Sequence, residues 1–224
     1  MNDRNCYLII TGGSLDRKFL EEYIGRHVVS KIICVDGGLH VADAAGISID
    51  YLVGDFDTAD ASLVDRYRRE IIEGKRKTIL KEYNPIKDAT DTQIAISLAL
   101  EEGAEEIVLL GATGSRLDHT LANIHLLLKP LSSGVKAYIL DKNNKIYLID
   151  RELELKRNEL YGSYVSLLPF GGDVKAVTLR GFKYDVTERD YLRGDSLGVS
   201  NELVEETGRI TLESGVLAVF ETKD

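Results

Sequence analysis

Two aspartates two residues apart, Asp55 and Asp57 in the stretch LVGDFDT (52–58), are the first feature with chemical content. Side chains two apart in an extended chain point the same way, so these carboxylates repel unless water or a cation lies between them. One reading is a solvated turn. The other is part of a site for a hard cation such as Mg²⁺, which prefers carboxylate oxygens and links them to substrate phosphates. A second acidic pair, Asp88 and Asp91 in KDATD, lies three apart at a helix start and hence on neighbouring positions of one face. A helix cap and a favourable first-turn charge are the competing explanation there. The stretch GATGSRLDHT (111–120) adds a cation: Arg116 can hold a phosphate through two parallel hydrogen bonds, and Asp118 follows two residues on. The alternative for that couple is an ion pair at a helix start. His119 is assigned no catalytic part, because a lone histidine beside an aspartate more often packs or hydrogen-bonds.

Glycines accompany these groups at the same turns: Gly37 and Gly38 after Asp36, Gly54 before Asp55, and Gly111 and Gly114 before Arg116. Such turns let backbone amides approach a phosphate, and a helix N-terminus beyond them adds partial positive charge. Ordinary turn chemistry explains VDGG (35–38) equally well, and TGG (11–13) is no stronger. Neither run fits the dinucleotide fingerprint or the phosphate-loop lysine pattern.

The elements that must position these residues alternate. CYLIITGG, KIICVDGG, YLVGDFD, RKTILKE and EEIVLLGATG read as strands. Helical segments follow, among them ADASLVDRYRRE, DATDTQIAISLALEEG and a helix from Leu117 to Leu128 stopped by Pro130. That order predicts an α/β domain with a mainly parallel sheet and helices on both faces. In such sheets ligands bind beyond the carboxyl ends of the strands, where the candidate residues collect. From about residue 134 the rhythm changes to short alternating strands, beginning with VKAYIL and KIYLID, so residues 135–224 are expected to form an antiparallel β domain and residues 1–134 the α/β domain.

With 44% hydrophobic and 29% charged residues the chain has the composition of an ordinary globular protein. A net charge of −9 argues against a protein whose affinity comes from neutralising nucleic-acid phosphates. The start MNDRNCYLIITGG is unlike a signal peptide and no span is long enough for a bilayer, so the expectation is a cytoplasmic protein without a membrane partner. Cys6 and Cys34 fall in separate apolar runs and read as buried free thiols, a disulfide being the lesser alternative.

Taken in order, VDGG (35–38), GDFDT (54–58), DATDTQIA (88–95), GATGSRLDHTLANI (111–124) and SLGVSN (196–201) resemble the motifs of thiamine pyrophosphokinases, over nearly the whole chain. The resemblance implies an α/β nucleotide-binding catalytic domain joined to an antiparallel β-sandwich that binds thiamine and forms a homodimer. It implies transfer of a pyrophosphoryl group from ATP to the thiamine hydroxyl, with Mg²⁺ required and AMP released. By motif, Asp55, Asp57 and Asp91 match the acidic residues that hold metal and polyphosphate, and Arg116 and Asp118 match the pair near the nucleotide and the reacting groups. Thr90 and Gln93 flank the helix start beside them, and Asp36, Gly37, Gly38, Gly111 and Gly114 would border the nucleotide. Ser200 and Asn201 match residues that meet thiamine across the dimer interface. The family's GDFDS stands here as GDFDT, with Thr58 keeping the hydroxyl, and with no Trp in the chain any stacking on thiamine falls to another residue. Asp118 or a metal-bound carboxylate could take the hydroxyl proton. The same apparatus would also suit a pyrophosphokinase for another hydroxymethyl substrate such as a pterin, a metal-dependent phosphohydrolase, or a nucleotide-binding regulatory module.

Overall fold

A computed structural model describes residues 5–56, 60–83 and 89–224; Asp57, Thr58, Lys87 and Asp88 lie outside the described residues. The chain divides into two compact units, one ending at Asp141 and the other spanning Lys142–Asp224.

Among its described residues the first unit has six strands: β1 (Cys6–Ile10), β2 (Lys31–Val35), β3 (Tyr51–Gly54), β4 (Ile79–Glu82), β5 (Glu106–Leu110) and β6 (Lys136–Leu140). They lie in the order β4-β3-β2-β1-β5-β6, and each pair is parallel. Leu8, Ile9, Ile10, Leu52, Val53, Ile107 and Leu109 are fully buried, the unbroken apolar runs expected of strands covered on both faces. The stretch VKAYIL, grouped by its alternation with the strands that follow it, supplies β6, whose register runs from Glu106↔Lys136 to Leu110↔Leu140. Only pairing with β5 distinguishes it from a strand of the second unit, and such pairing leaves no mark on local pattern.

Among the described residues six helices make the connections: α1 (Arg17–Arg26), α2 (Gly38–Ala44), α3 (Ala61–Ile72), α4 (Asp91–Glu101), α5 (Leu117–Leu126) and α6 (Leu128–Ser132). Asp16, Asp60 and Thr90 cap α1, α3 and α4 by accepting backbone N–H bonds from the first turn. The cap of α4 is therefore Thr90, and Asp91 is its first residue. Steps from β1 to β4 run outward in one direction through α1, α2 and α3; α4 then returns the chain past β1 to β5. Right-handed crossovers put the two sets of helices on opposite faces. In agreement, α1 touches α2, while α4 packs on α5, α6 and strands β1 to β3.

Pro130 does not end the helical segment. It sits in the first turn of α6, where a missing N–H costs little, but it cannot donate to the carbonyl of Leu126, and α5 stops at that residue. No helix among the described residues is long and apolar enough to cross a membrane.

The second unit holds β7 (Asn144–Ile149), β8 (Leu153–Lys156), β9 (Tyr164–Pro169), β10 (Val174–Arg180), β11 (Val186–Tyr191), β12 (Thr207–Thr211) and β13 (Leu217–Thr222). β13 pairs antiparallel with β7 and β9; β10 pairs antiparallel with β11 and β12, and β12 with β8. These are the two antiparallel sets that a sandwich requires. Val165, Leu167, Leu217 and Val219 of one set and Val177, Leu179 and Ile210 of the other are buried. One carboxylate is buried with them: Glu221 accepts from the Tyr147 hydroxyl (2.9 Å), the Tyr161 N–H (2.8 Å) and Lys145 Nζ (3.2 Å).

Candidate functional site

Between β1 and β5 the sheet changes direction, since the chain leaves β1 toward β2 on one side and β5 toward β6 on the other. Strand ends that part in this way leave a crevice beyond their carboxyl ends. Here the two departing loops are sewn together along its floor. Thr11 donates its N–H to Leu110 O (2.9 Å) and its hydroxyl to Gly111 O (2.5 Å), Gly13 donates to Gly111 O (2.8 Å), and Ser14 to Thr113 O (2.8 Å). A Cβ added to Gly13 would lie 2.2 Å from Gly111 O, and one on Gly38 would lie 2.4 Å from Ile10 O. Glycine at these points is required by backbone packed on backbone. Gly111 (φ 73°) and Gly114 (φ 57°) also hold left-handed conformations. The amides of Gly13 and Ser14 serve this seam, while the Gly114 N–H is taken by Thr120 Oγ1 of α5 (3.0 Å).

Above the floor lies a cleft of about 1000 Å³, entirely within the first unit. Asp36 and Asp55 enter it from the ends of β2 and β3, Thr90, Asp91 and Gln93 from the start of α4, and Gly111, Gly114 and Arg116 from the β5–α5 loop. Residues up to 112 positions apart in sequence thus share one wall-to-wall space, Thr11 at one end of the chain segment and Asn123 at the other. Asp55 reaches it because its neighbour goes the other way: Phe56, with φ 60°, buries its ring under the guanidinium of Arg68, which bridges Asp65 (3.0 Å) and Glu82 (2.8 Å).

Gly37 and Gly38 do not line the cleft: Gly37 is the N-cap of α2, and Gly38, its first residue, is buried against β1. Asp118 stands beside it, exposed and held by Arg116 through Nη2–Oδ2 (2.5 Å) and Nε–Oδ1 (3.1 Å) contacts. This contact holds the Asp118 carboxyl below its ordinary value and raises Arg116 above its own. Thr11, Gly12, Gly13, Ser14, His119 and Asn123 line the cleft as well. The TGG run was the signal for the first of these, and the helical spacing of His119 and Asn123 for the last two. Asn123 donates to Ala112 O (2.9 Å) and so ties α5 to the floor.

Charge in the cleft is lopsided: Asp36, Asp55 and Asp91 face Arg116 among the described lining residues. Among the described residues no three His, Cys, Asp or Glu side chains come together as a metal cage. Asp55 and Asp91 are described cleft carboxylates that could hold Mg²⁺, an ion that takes one or two carboxylates, retains water and completes its shell with substrate phosphate.

Ser200 and Asn201 belong to the second unit. Ser200 is exposed, has φ 58°, and its N–H donates to Ser166 Oγ (2.9 Å). Asn201 is buried: its Oδ1 accepts from Tyr184 N (3.1 Å) and Glu202 N (2.9 Å), its Nδ2 donates to Tyr184 O (2.9 Å), and its backbone pairs with Val165.

Residues 27–139 match the family profile "Thiamin pyrophosphokinase, catalytic domain", and residues 150–217 match "Thiamin pyrophosphokinase, vitamin B1 binding domain". The thiamine pyrophosphokinase of Bacillus subtilis (strain 168) is 35% identical over 193 residues, 86% of this chain and 87% of the relative. Thiamine pyrophosphokinase 1 of Oryza sativa subsp. japonica is 27% identical over 176 residues, 68% of this chain and 66% of the relative. The crystal structure of the Bacillus subtilis thiamine pyrophosphokinase superposes with a TM-score of 0.84 at 31% identity, covering 98% of this chain and 100% of that one. Yeast thiamin pyrophosphokinase, at 17% identity, shares the fold, with a TM-score of 0.79 over 100% of this chain and 88% of the other. With both of its domain profiles matched in order and a relative this close along most of its length, the chain belongs to the thiamin pyrophosphokinase family.

Proposed function

We propose that this protein transfers a pyrophosphoryl group from ATP to the hydroxyl of thiamine, giving thiamine diphosphate and AMP. The observation that carries this reading is the convergence of Asp36, Asp55, Asp91 and Arg116 on one glycine-floored cleft at the point where the sheet changes direction. In the reaction the thiamine oxygen bonds to the β-phosphorus, the bond from that phosphorus to the α,β-bridging oxygen breaks, and AMP departs with the bridging oxygen. Positioning and electrostatic stabilisation supply most of the catalysis in such transfers.

Asp55 and Asp91, with Asp57, would hold Mg²⁺, which when bound neutralises polyphosphate charge and orients the attacked phosphorus. Thr90, Gln93, Gly111 and Gly114 would border the nucleotide. Arg116 would move its fork from Asp118 to the polyphosphate. Asp118, relieved of that cation, becomes a stronger base and takes the proton of the thiamine hydroxyl. Ser200 would meet thiamine, presented by the segment that Asn201 pins. The protein would work as a homodimer in the cytoplasm.

The test is an incubation of purified, folded protein with ATP, Mg²⁺ and thiamine, following AMP and thiamine diphosphate. Equal amounts of the two are expected, and absence of both rejects the proposal. Asp55→Asn should lower turnover by more than the roughly 10–100-fold that loss of an outer-sphere metal partner costs, with the Mg²⁺ requirement shifted to higher concentration and the fold retained. Unchanged magnesium dependence would remove Asp55 from the metal site.

A further inference from the structure

A second cavity, of about 700 Å³, opens where the α2–β3 and α3–β4 connections approach each other. It lies at the amino ends of β3 and β4, whereas the catalytic cleft lies beyond the carboxyl ends of the strands. Its charge is reversed: Arg66, Lys75, Arg76 and Lys77 line it against Asp43 and Glu70, in a chain whose net charge is −9.

Two of these cations are held in place in advance. The Arg76 guanidinium lies 3.9 Å from the ring centre of Tyr67, which is 1% exposed, and its Nε is fixed on Glu70 Oε2 (2.5 Å). Arg66 Nη2 meets Asp43 Oδ2 (2.7 Å), and the other oxygen of the same carboxylate accepts the Tyr67 hydroxyl (3.2 Å) and lies 4.0 Å from Arg76 Nη2. Asp43 thus anchors Arg66 as Glu70 anchors Arg76, without saturating either, because each guanidinium carries five N–H donors and these pairs use one on each. A planar fork already ordered by stacking loses less freedom when it takes a tetrahedral oxyanion. Lys75 and Lys77 add charge at the rim.

We propose that this cavity is a second anion site, binding the phosphoryl group of a small phosphorylated metabolite through Arg66, Arg76 and Lys77. Metal-free conditions separate it from the catalytic cleft, whose carboxylates repel anions until a divalent cation is present. The experiment is a titration of the full chain, freed of divalent metal on chelating resin, with inorganic phosphate and with AMP, followed by calorimetry and ³¹P NMR.

One saturable site is expected, weakened at least tenfold by Arg66→Gln combined with Lys77→Gln, weakened by added salt, and untouched by Arg116→Gln in the cleft. The double variant leaves the Arg76–Tyr67–Glu70 stack in place; the single variant Lys77→Glu, at an exposed rim position, should weaken binding severalfold and checks the result independently. Equal affinity for phosphate and AMP supports a site for the phosphoryl group alone, and tighter AMP supports a site that also contacts the nucleoside. The proposal is overturned by a lack of saturable binding, or by binding that survives the double variant and disappears in Arg116→Gln.

Discussion

Arg116 and Asp118 grip each other with two parallel contacts while both side chains stand in solvent, 69% and 64% exposed. An exposed pair contributes little to folding, since water screens it and two long side chains must be ordered. Its consequence is chemical: the depressed carboxyl stays ionised to lower pH than an ordinary aspartate.

Replacing Arg116 with Gln should therefore leave the melting temperature where it is and lower kcat/KM about 10²–10³-fold, the scale of a lost transition-state hydrogen-bond donor. With the guanidinium gone, the Asp118 carboxyl rises toward its usual value, so the acid limb of the pH–rate profile moves to higher pH. Arg116→Lys restores the charge without the fork and should recover only part of the rate. A profile that keeps its acid limb in Arg116→Gln would mean that another group takes the proton.

Two glycine-to-alanine substitutions should have opposite signs. At Gly13 the new Cβ would meet three backbone oxygens, those of Gly111, Thr113 and Gly114, at 2.2, 2.7 and 2.9 Å, so the seam must open. Overpacking of this kind costs about 1–3 kcal/mol, and chemical denaturation should record at least that loss. Gly25 lies inside α1 with nothing within 4 Å of its added Cβ, and alanine there should stabilise by about 0.5–1 kcal/mol.

Ser200 and Asn201 are adjacent and should behave differently. Asn201→Ala strips the Tyr184 and Glu202 N–H groups of their acceptor, at about 1–3 kcal/mol for each group left buried. Its melting temperature should fall clearly. Ser200→Ala removes an exposed hydroxyl and should leave the melting temperature unchanged while raising KM for thiamine. Loss of thiamine affinity in Asn201→Ala with no loss of stability would show direct contact instead.

Both cysteines are buried, and burial pushes the Cys6 thiol up to about 12 and Cys34 higher still. A thiol reagent at pH 8 should find neither in the native protein and 2 after unfolding. Because the folded state holds these protons more tightly, their contribution to stability is intact below the ordinary value of 9.0 and is lost as pH rises toward about 12.

Strand ends were the legible part of this chain. Apolar runs stopped by glycine mark β1, β2, β3 and β5, and carboxylates just beyond them had to face a shared crevice once the strands were parallel. Thr90 could be read as a cap only by comparison with Asp88, because both residue types accept first-turn N–H bonds. TGG looked like an ordinary turn because its importance lies in Gly111, nearly a hundred residues on. Asn201 belongs to a motif suggestive of ligand contact, and its actual hydrogen bonds depend on how the 184 and 201 segments meet. The basic cavity escaped notice for a similar reason: Asp43, Arg66 and Arg76 have no common spacing.

The seam joining Thr11 and Gly13 to Gly111 is made of main-chain groups, apart from one threonine hydroxyl. A platform of that kind is indifferent to side-chain drift, so the foundation of the cleft and its preferences can be altered separately. Anyone redesigning the acceptor or donor range should leave residues 11–14 and 111–114 alone, keep Asp91, Arg116 and Asp118, and diversify wall positions without a part in the chemistry, such as Ala89, Thr92 and His119, where changes alter recognition without unmaking the ground beneath it.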